Sequence, residues 1–445
     1  MGIRELWNVV SPARKQTTFS TLSWEHFKDT GRPLVIGVDA SIWFFQIQAA
    51  LSARGLHSQL GSNPELATFF YKLSFFLSLP ISLVFVLDGP QRPAIKQGKT
   101  VHSVPHWMIH SVRELVTAFG YHIHQAPGEA EAELGNLNHI GHIDAVFTVD
   151  SDILLFGAEI IIRPNDTGDL NDVAVYHAND IATNTERPLM PGGLLLMAIL
   201  CGGDYDKGLE RCGWKTAYGL TNTELGSELL LASDEDAATI RKILPAWREK
   251  LRDHLARDPH GFIGRKNVGI ASNIPGNFPS MDVVRKYTHP VISHTLLAAA
   301  FLGWGHLRLP NIPVLSELTE RLFLWKSIGK QEKKFTSKIF DGFCVRYLML
   351  LSSPGHSFPE GSLIPRVLNI VDVKSAHDNI LFSVEFDIAV LAHASLQTST
   401  LTKKKVWAPS VVLTASHNLL ALYLQKLNCS KKKTLSIQKK IELVD

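Results

Sequence analysis

Three apolar, β-rich runs in this chain each end on aspartate. Pro33–Val38 runs into Asp39, Ile81–Leu87 into Asp88, and Ala145–Val149 into Asp150-Ser151-Asp152. Short runs of this kind read as strands buried on both faces of a sheet. Helical spacing lies between them, at Leu66, Phe69, Phe70, Leu73 and Leu77 and again at Val112, Leu115, Val116 and Phe119. Strands alternating with helices predict an α/β fold with a parallel sheet and right-handed crossovers. Ligands of such sheets gather beyond the carboxyl ends of the strands, which is where these aspartates fall.

More carboxylates join them. A helix opened by Pro191 and stopped by Gly202-Gly203 leads directly to Asp204. Pro127-Gly128 precedes Glu129-Ala-Glu131-Ala-Glu133. Residues two apart face different sides of a helix, so Glu129 and Glu131 share a site only if Glu129 stands at the helix entry. One strand-end aspartate serves equally well as a turn former or a helix cap. A whole set at one edge repels itself and loses hydration, so it calls for cations. Oxygen-only ligands select hard divalent ions, Mg²⁺ first and Mn²⁺ second. Two such ions ~3.5–4 Å apart clamp a phosphodiester, one side activating water and the other stabilising the leaving oxygen.

The 445 residues suffice for several domains, and Lys+Arg 45 against Asp+Glu 42 leaves a net charge of only +3. Any nucleic-acid surface must therefore come from local sorting of charge. Four cysteines without a CxxC exclude a disulfide scaffold or zinc ribbon and fit a reducing compartment. MGIRELWNVV has no long apolar core, so no secretory signal is expected. The most membrane-like stretch, 69–87, contains Lys72 and Pro80 and reads as a helix followed by a strand, so no membrane partner is expected. Lys207–Ala217 reads as a short helix, a Gly-flanked turn and a second helix. Residues 262–282 read as loop, and 291–302 and 315–328 as helices. From about 336 the texture changes: 343–351, 363–373 and 379–386 read as strands, and Val406-Trp407-Ala408-Pro409 precedes a helix at 411–427. The expected organisation is an N-terminal region at 1–105, an internal region at 106–250, a helical connector at 251–335, a β-rich module at 336–430 and a basic tail at 431–445. Residues 401–445 hold nine Lys against two acidic residues. Such runs serve as a nuclear address or a solvated tail, and a nuclear location is the expectation.

These residues together resemble the flap-endonuclease/XPG family of structure-specific 5′ nucleases, which have a PIN-like core. Met1-Gly2-Ile3, Val38-Asp39-Ala-Ser41, Leu87-Asp88-Gly89-Pro90, Ala126-Pro-Gly-Glu129-Ala-Glu131, Thr148-Val-Asp150-Ser-Asp152 and Gly202-Gly-Asp204-Tyr205 are similar to its motifs over roughly 1–300. The resemblance implies metal-dependent hydrolysis of branched DNA. Asp39, Asp88, Glu129 and Glu131 would serve one metal, and Asp150, Asp152 and Asp204 the other, with Glu131 able to bridge. Lys96 is similar to the basic residue that reaches the scissile phosphate, although its spacing from Asp88 is one residue longer and leaves Lys99 as the alternative. The second active-site basic residue of the family has no counterpart beyond His102 or His106 in Val101–His106. Gly208–Gly213 followed by Ala217 resembles the family's helix-hairpin-helix element. It implies a K⁺ ion and backbone N–H groups on a duplex phosphate, with charge from Lys207, Arg211 and Lys215. Gly2 would let the chain pass close to DNA.

Only about 25 residues separate Pro93 from Gly120, far short of the long spacer of the family's excision-repair nuclease. The tail offers Gln438 but no aromatic pair of a sliding-clamp peptide. Phe278–Tyr287 with Pro290, and Val406–Pro409, resemble segments of the Gen/Yen-type Holliday-junction resolvases, whose β-rich module is chromodomain-like. The expected activity is therefore junction resolution by a pair of protomers assembling on four-way DNA. A 5′ flap nuclease with the same chemistry is the first alternative, and an inactive protein that binds branched DNA is the second.

Overall fold

A computed structural model describes residues 2–53, 61–96, 99–100, 106–184, 187–293, 303–325, 328–353, 358–359, 361–376, 379–395 and 399–413. Its strands are β1 (Lys15–Thr18), β2 (Leu34–Asp39), β3 (Ile81–Leu87), β4 (Ile95–Lys96), β5 (Lys99–Thr100), β6 (His122–Gln125), β7 (Ala145–Phe147), β8 (Ile160–Pro164), β9 (Asp172–His177), β10 (Arg366–Ala376), β11 (Asn379–Asp387) and β12 (Lys403–Pro409). The main sheet has the order β1-β9-β8-β7-β2-β3-β6.

The three aspartate-tipped runs are β2, β3 and β7, side by side and parallel. Every residue of β2 and β3 is buried, as central parallel strands require. Alternate side chains enter two interiors. Ile36 and Val38 meet the helices Pro64–Phe76 and Ile109–Ala118, while Val35 and Val84 meet the helices Ala130–His139 and Pro191–Cys201. The result is a three-layer α/β core in which strands from both expected nuclease regions interleave.

Several expectations are corrected. The sheet is mixed, because β9 runs antiparallel to both β8 and β1. Within 262–282, Val268–Ser272 is a helix, and another helix, Met281–Thr288, starts there. No helix precedes the turn at 207–213: the chain leaves the Pro191–Cys201 helix at Gly202 and re-enters one at Trp214–Leu220. Residues 340–352 are a helix, not a strand. This helix is buried nearly all round, and such a segment has no one-sided apolar pattern to separate it from a buried strand. Val406–Pro409 belongs to β12, which completes the antiparallel sheet β10-β11-β12. The expected helices at 291–302 and 411–427 and the Lys runs at 431–440 lie mostly or wholly outside the described residues.

The small sheet does not stand apart from the core. Phe382, Val384, Phe386 and Val406 share one hydrophobic interior with the 64–76 helix face of the main sheet. Arg346, on the 340–352 helix that packs between them, is 1% exposed and ties that helix to the core. Its Nη2 donates to Phe76 O at 3.2 Å, Ile81 O at 3.2 Å and Tyr121 Oη at 3.3 Å. Among the described residues no helix is long and apolar enough to cross a membrane. The stretch at 69–87 divides into the end of the 64–76 helix and β3.

Candidate active site

Because β7, β2, β3 and β6 are adjacent and parallel, their carboxyl ends share one edge. Asp39 ends β2, Asp88 follows β3, and Asp150 and Asp152 lie in the turn after β7. Glu129 occupies the N-cap position of the 130–139 helix, which follows β6, with extended backbone (φ −82°, ψ 140°). It therefore stands at the helix entry, the placement that lets it share a site with Glu131. Asp88 Oδ1 accepts from Ala130 N at 2.9 Å, so one strand end caps the helix beside the next. Glu133 leaves the group: it is fully buried against His124 Nε2 at 2.7 Å and Ser293 N at 2.8 Å.

The turn carrying Asp150 and Asp152 is built locally. Thr148 Oγ1 accepts from Asp150 N at 3.0 Å, and Asp150 Oδ1 accepts from Asp152 N at 3.2 Å. Ser151 Oγ accepts from Ile3 N at 2.8 Å and ties the start of the chain to this turn. Gly2 consequently lies on the carboxylates. A Cβ there would sit 2.2 Å from Asp150 Oδ1 and 2.7 Å from Asp152 Oδ1, and its φ of +81° favours glycine as well.

Among the described residues, two side-chain cations form ion pairs at this edge. Lys96 Nζ, on the β4–β5 hairpin, pairs with Glu129 Oε1 and with Asp204 Oδ2 at 3.2 Å. Burial opposes the charge on Lys96, but Glu129 and Asp204 outweigh it and hold the ammonium firmly protonated. Arg92 Nη1 meets Asp88 Oδ2 at 2.9 Å. Asp39, Glu131, Asp150 and Asp152 form no ion pair among the described residues, although Asp150 and Asp152 are only 2% and 1% exposed. Ser41 N and Ile42 N donate to Asp39 at 2.8 and 3.4 Å. Burial, and then Asp88, still push the Asp39 carboxyl up to about 7. Burial, then Asp150, Asp39 and Asp152, hold Glu131 well above the usual carboxylate range. Burial, then Asp150 and Asp204, do the same to Asp152, and burial also raises Asp150.

Those shifts mark a group short of positive charge. Glu131 Oε1 and Asp152 Oδ1 are buried with no hydrogen-bond partner. Among the described residues no three acidic, His or Cys side chains have closed into a coordination shell. Carboxylates without a cation between them keep apart, and oxygens left unpaired in a buried, all-carboxylate set fit a hard divalent ion.

Apart from Gly2 and Lys99, the residues expected to contact DNA fall on a second surface. Lys207, Arg211, Gly213 and Lys215 are exposed, and Gly208 partly so, along the 202–213 loop and the start of the Trp214–Leu220 helix. Arg211 approaches the neighbouring Glu210 at 3.8 Å. Lys99 lies on β5, but its side chain is outside the described residues, as are 101–105. His106 packs against Phe44, with ring centroids 5.1 Å apart. Three residues at the site escape motif reading. Arg92 could have been found from its i,i+4 spacing to Asp88. Tyr205, whose Oη donates to Glu129 Oε2, sits inside a quoted motif. Burial, then Glu129, push its phenol well up. Tyr287 arrives from the 281–288 helix and packs its ring 4.7 Å from Tyr205, a long-range contact that no local pattern signals.

Residues 1–104 match the XPG N-terminal domain, and residues 120–204 match the XPG I-region. The Mus musculus protein "Flap endonuclease GEN homolog 1" is 27% identical over 249 residues, 52% of this chain and 26% of the relative. "Single-strand DNA endonuclease 1" of Oryza sativa subsp. japonica is 25% identical over 420 residues, 87% of this chain and 62% of the relative. The chain thus spans about a quarter of the length of the mouse relative. Among solved structures, the junction-resolving enzyme GEN-1 binding cesium is 26% identical with a TM-score of 0.77, covering 96% of this chain and 100% of that one. The Holliday junction-resolving enzyme GEN1 with product DNA and Mg²⁺ is 26% identical with a TM-score of 0.75, covering 96% and 99%. All seven acidic positions fall inside the two matched regions, so the chain carries the XPG N-terminal domain and the XPG I-region and is similar, over 96% of its length, to solved Gen/Yen-type junction-resolving enzymes.

Proposed function

We propose that this chain hydrolyses phosphodiesters in branched DNA with Mg²⁺, and that the four-way Holliday junction is the substrate it resolves. One observation carries the reading: an edge of buried carboxylates, four of them without an ion pair among the described residues, in a chain that matches solved junction-resolving enzymes over 96% of its length. Asp39, Asp88, Glu129 and Glu131 would hold one Mg²⁺ and Asp150, Asp152 and Asp204 the second, with Mn²⁺ able to replace either. Glu131 would bridge, which fits its simultaneous repulsion by Asp39, Asp150 and Asp152. When bound, the ions supply activation of the attacking water and stabilisation of the leaving oxygen.

The chain's own residues do the rest. Lys96 keeps its charge beside Glu129 and Asp204 and is the cation available to the scissile phosphate, with Lys99 following on the same hairpin. Gly2 leaves the mouth of the carboxylate group free of a side chain. Lys207, Arg211 and Lys215, with Gly208 and Gly213 giving backbone access, grip duplex phosphates away from the cut. Solved relatives bind cesium, potassium or sodium, and the 202–213 loop is the proposed place for K⁺ here. Cleavage leaves a 5′ phosphate on the downstream fragment. Resolution needs two cuts, so two protomers assemble on one junction, and the protein works in the nucleus.

The names of the curated relatives favour a second reading, incision of 5′ flaps by one protomer with the same site. Labelled four-way, 5′ flap and forked DNAs incubated with Mg²⁺ separate the two. Paired cuts on opposite strands of the junction support resolution. Cutting confined to flaps supports the second reading, and binding without any cutting would leave only a DNA-structure-binding protein.

A further inference from the structure

The 281–288 helix lies outside both matched family regions, yet one of its side chains ends in the carboxylate group. Tyr287 is 3% exposed; its phenol oxygen faces the backbone N–H of Asp204, and its own O–H proton has no acceptor among the described residues. A Cβ added to Gly203 would sit 2.3 Å from that hydroxyl and 3.8 Å from Asp152 Oδ2. The phenol oxygen therefore stands over the residue that precedes Asp204 and beside Asp152, in space that only glycine leaves open. Its ring is braced on Tyr205, with centroids 4.7 Å apart and planes inclined at 58°. Tyr205 is in turn bonded to Glu129, so the brace is anchored in the same group.

A buried hydroxyl proton without an acceptor is costly, and phenylalanine would fill the same space without that cost. Asp152 offers the complementary group: its Oδ2 faces the same space over Gly203, while its Oδ1, on the Gly2 side, is buried and unpaired. A phenol proton without an acceptor and a carboxylate oxygen thus face the same space over Gly203. We propose that Tyr287 is a positioning residue: its hydroxyl donates to the Asp152 carboxylate when a divalent cation draws that side chain in, and it fixes which oxygen faces the ion. The inference rests on the two-metal reading given above. Outer hydrogen bonds of this kind orient ligands and set metal affinity.

The test reads metal alone, on the full chain without DNA, as the loss of the free Mn²⁺ electron paramagnetic resonance signal during titration. Tyr287→Phe is expected to weaken Mn²⁺ binding about 10- to 100-fold. Its melting temperature and its affinity for a four-way junction in Ca²⁺ should stay at wild-type values. Its junction cleavage should fall at low Mg²⁺ and recover at high Mg²⁺. Tyr287→Leu, which also removes the ring from Tyr205, should lose thermal stability in addition and so separates packing from the hydroxyl. Wild-type Mn²⁺ affinity in Tyr287→Phe overturns the positioning role alone. A wild-type chain that takes up no Mn²⁺ overturns the two-metal reading and this inference with it.

Discussion

Asp39 holds its proton to about pH 7, where an unfolded aspartate has long since lost it. Between the unfolded value of 3.8 and about 7 the folded chain binds more protons than the unfolded one. Stability of the metal-free protein must therefore fall as pH rises through that window, and the raised Glu131, Asp150 and Asp152 add to the fall. Metal ligation needs the same groups deprotonated. Thermal melts at pH 5 and pH 8 should show the metal-free protein less stable at pH 8, through this contribution, and a larger gain from Mg²⁺ at pH 8. A gain from Mg²⁺ that is larger at pH 5 would contradict the cluster's electrostatics. Asp150→Asn removes one repelling charge at constant volume. Its metal-free melting temperature at pH 8 should match or exceed wild type, while Mg²⁺-dependent cleavage falls by at least about 100-fold, beyond what loss of an outer hydrogen bond costs. The acidic side chains were legible in the sequence because six of the seven follow a strand or open a helix at one edge, and Asp204 follows the glycine stop of the Pro191–Cys201 helix. Arg92, Tyr205 and Tyr287 were less so, because their partners are set by tertiary folding.

Elements were legible where one-sided or continuous burial leaves a local signature. β2, β3 and β7 are apolar runs bounded by turns, and the Pro191–Cys201 helix is punctuated by proline and glycine. The 340–352 helix defeats that logic, since it is buried against the main core on one side and the small sheet on the other. Arg346 in this helix uses its guanidinium on the carbonyls of Phe76 and Ile81 and on Tyr121. Arg346→Ala strands those acceptors and opens a cavity, so it should cost about 2–5 kcal/mol in urea unfolding. An unaffected midpoint would show that the module does not lean on this contact. The 202–213 loop and the helix after it make a separate prediction. Lys215→Ala should weaken binding evenly across DNA sequences and lower the slope of log affinity against log salt by about one.

At the scale of the molecule, a net charge of only +3 cannot by itself hold DNA, so affinity must come from sorted surfaces such as the 202–215 stretch. The shared hydrophobic interior packs the small C-terminal sheet, β10–β12, against the body that carries the carboxylate edge. Under the proposed function, double incision then draws on a second copy rather than on a swing of the module. The central claim is that separated acidic residues fold into one pocket that works through divalent ions. It is tested most directly by cleavage of a strand-labelled four-way junction by wild type and Asp150→Asn over a Mg²⁺ titration. The account predicts Mg²⁺-dependent paired cuts by wild type and none by the variant, with both proteins binding the junction in Ca²⁺. Equal cutting by the two proteins, or cutting by wild type that persists in excess EDTA, would contradict it.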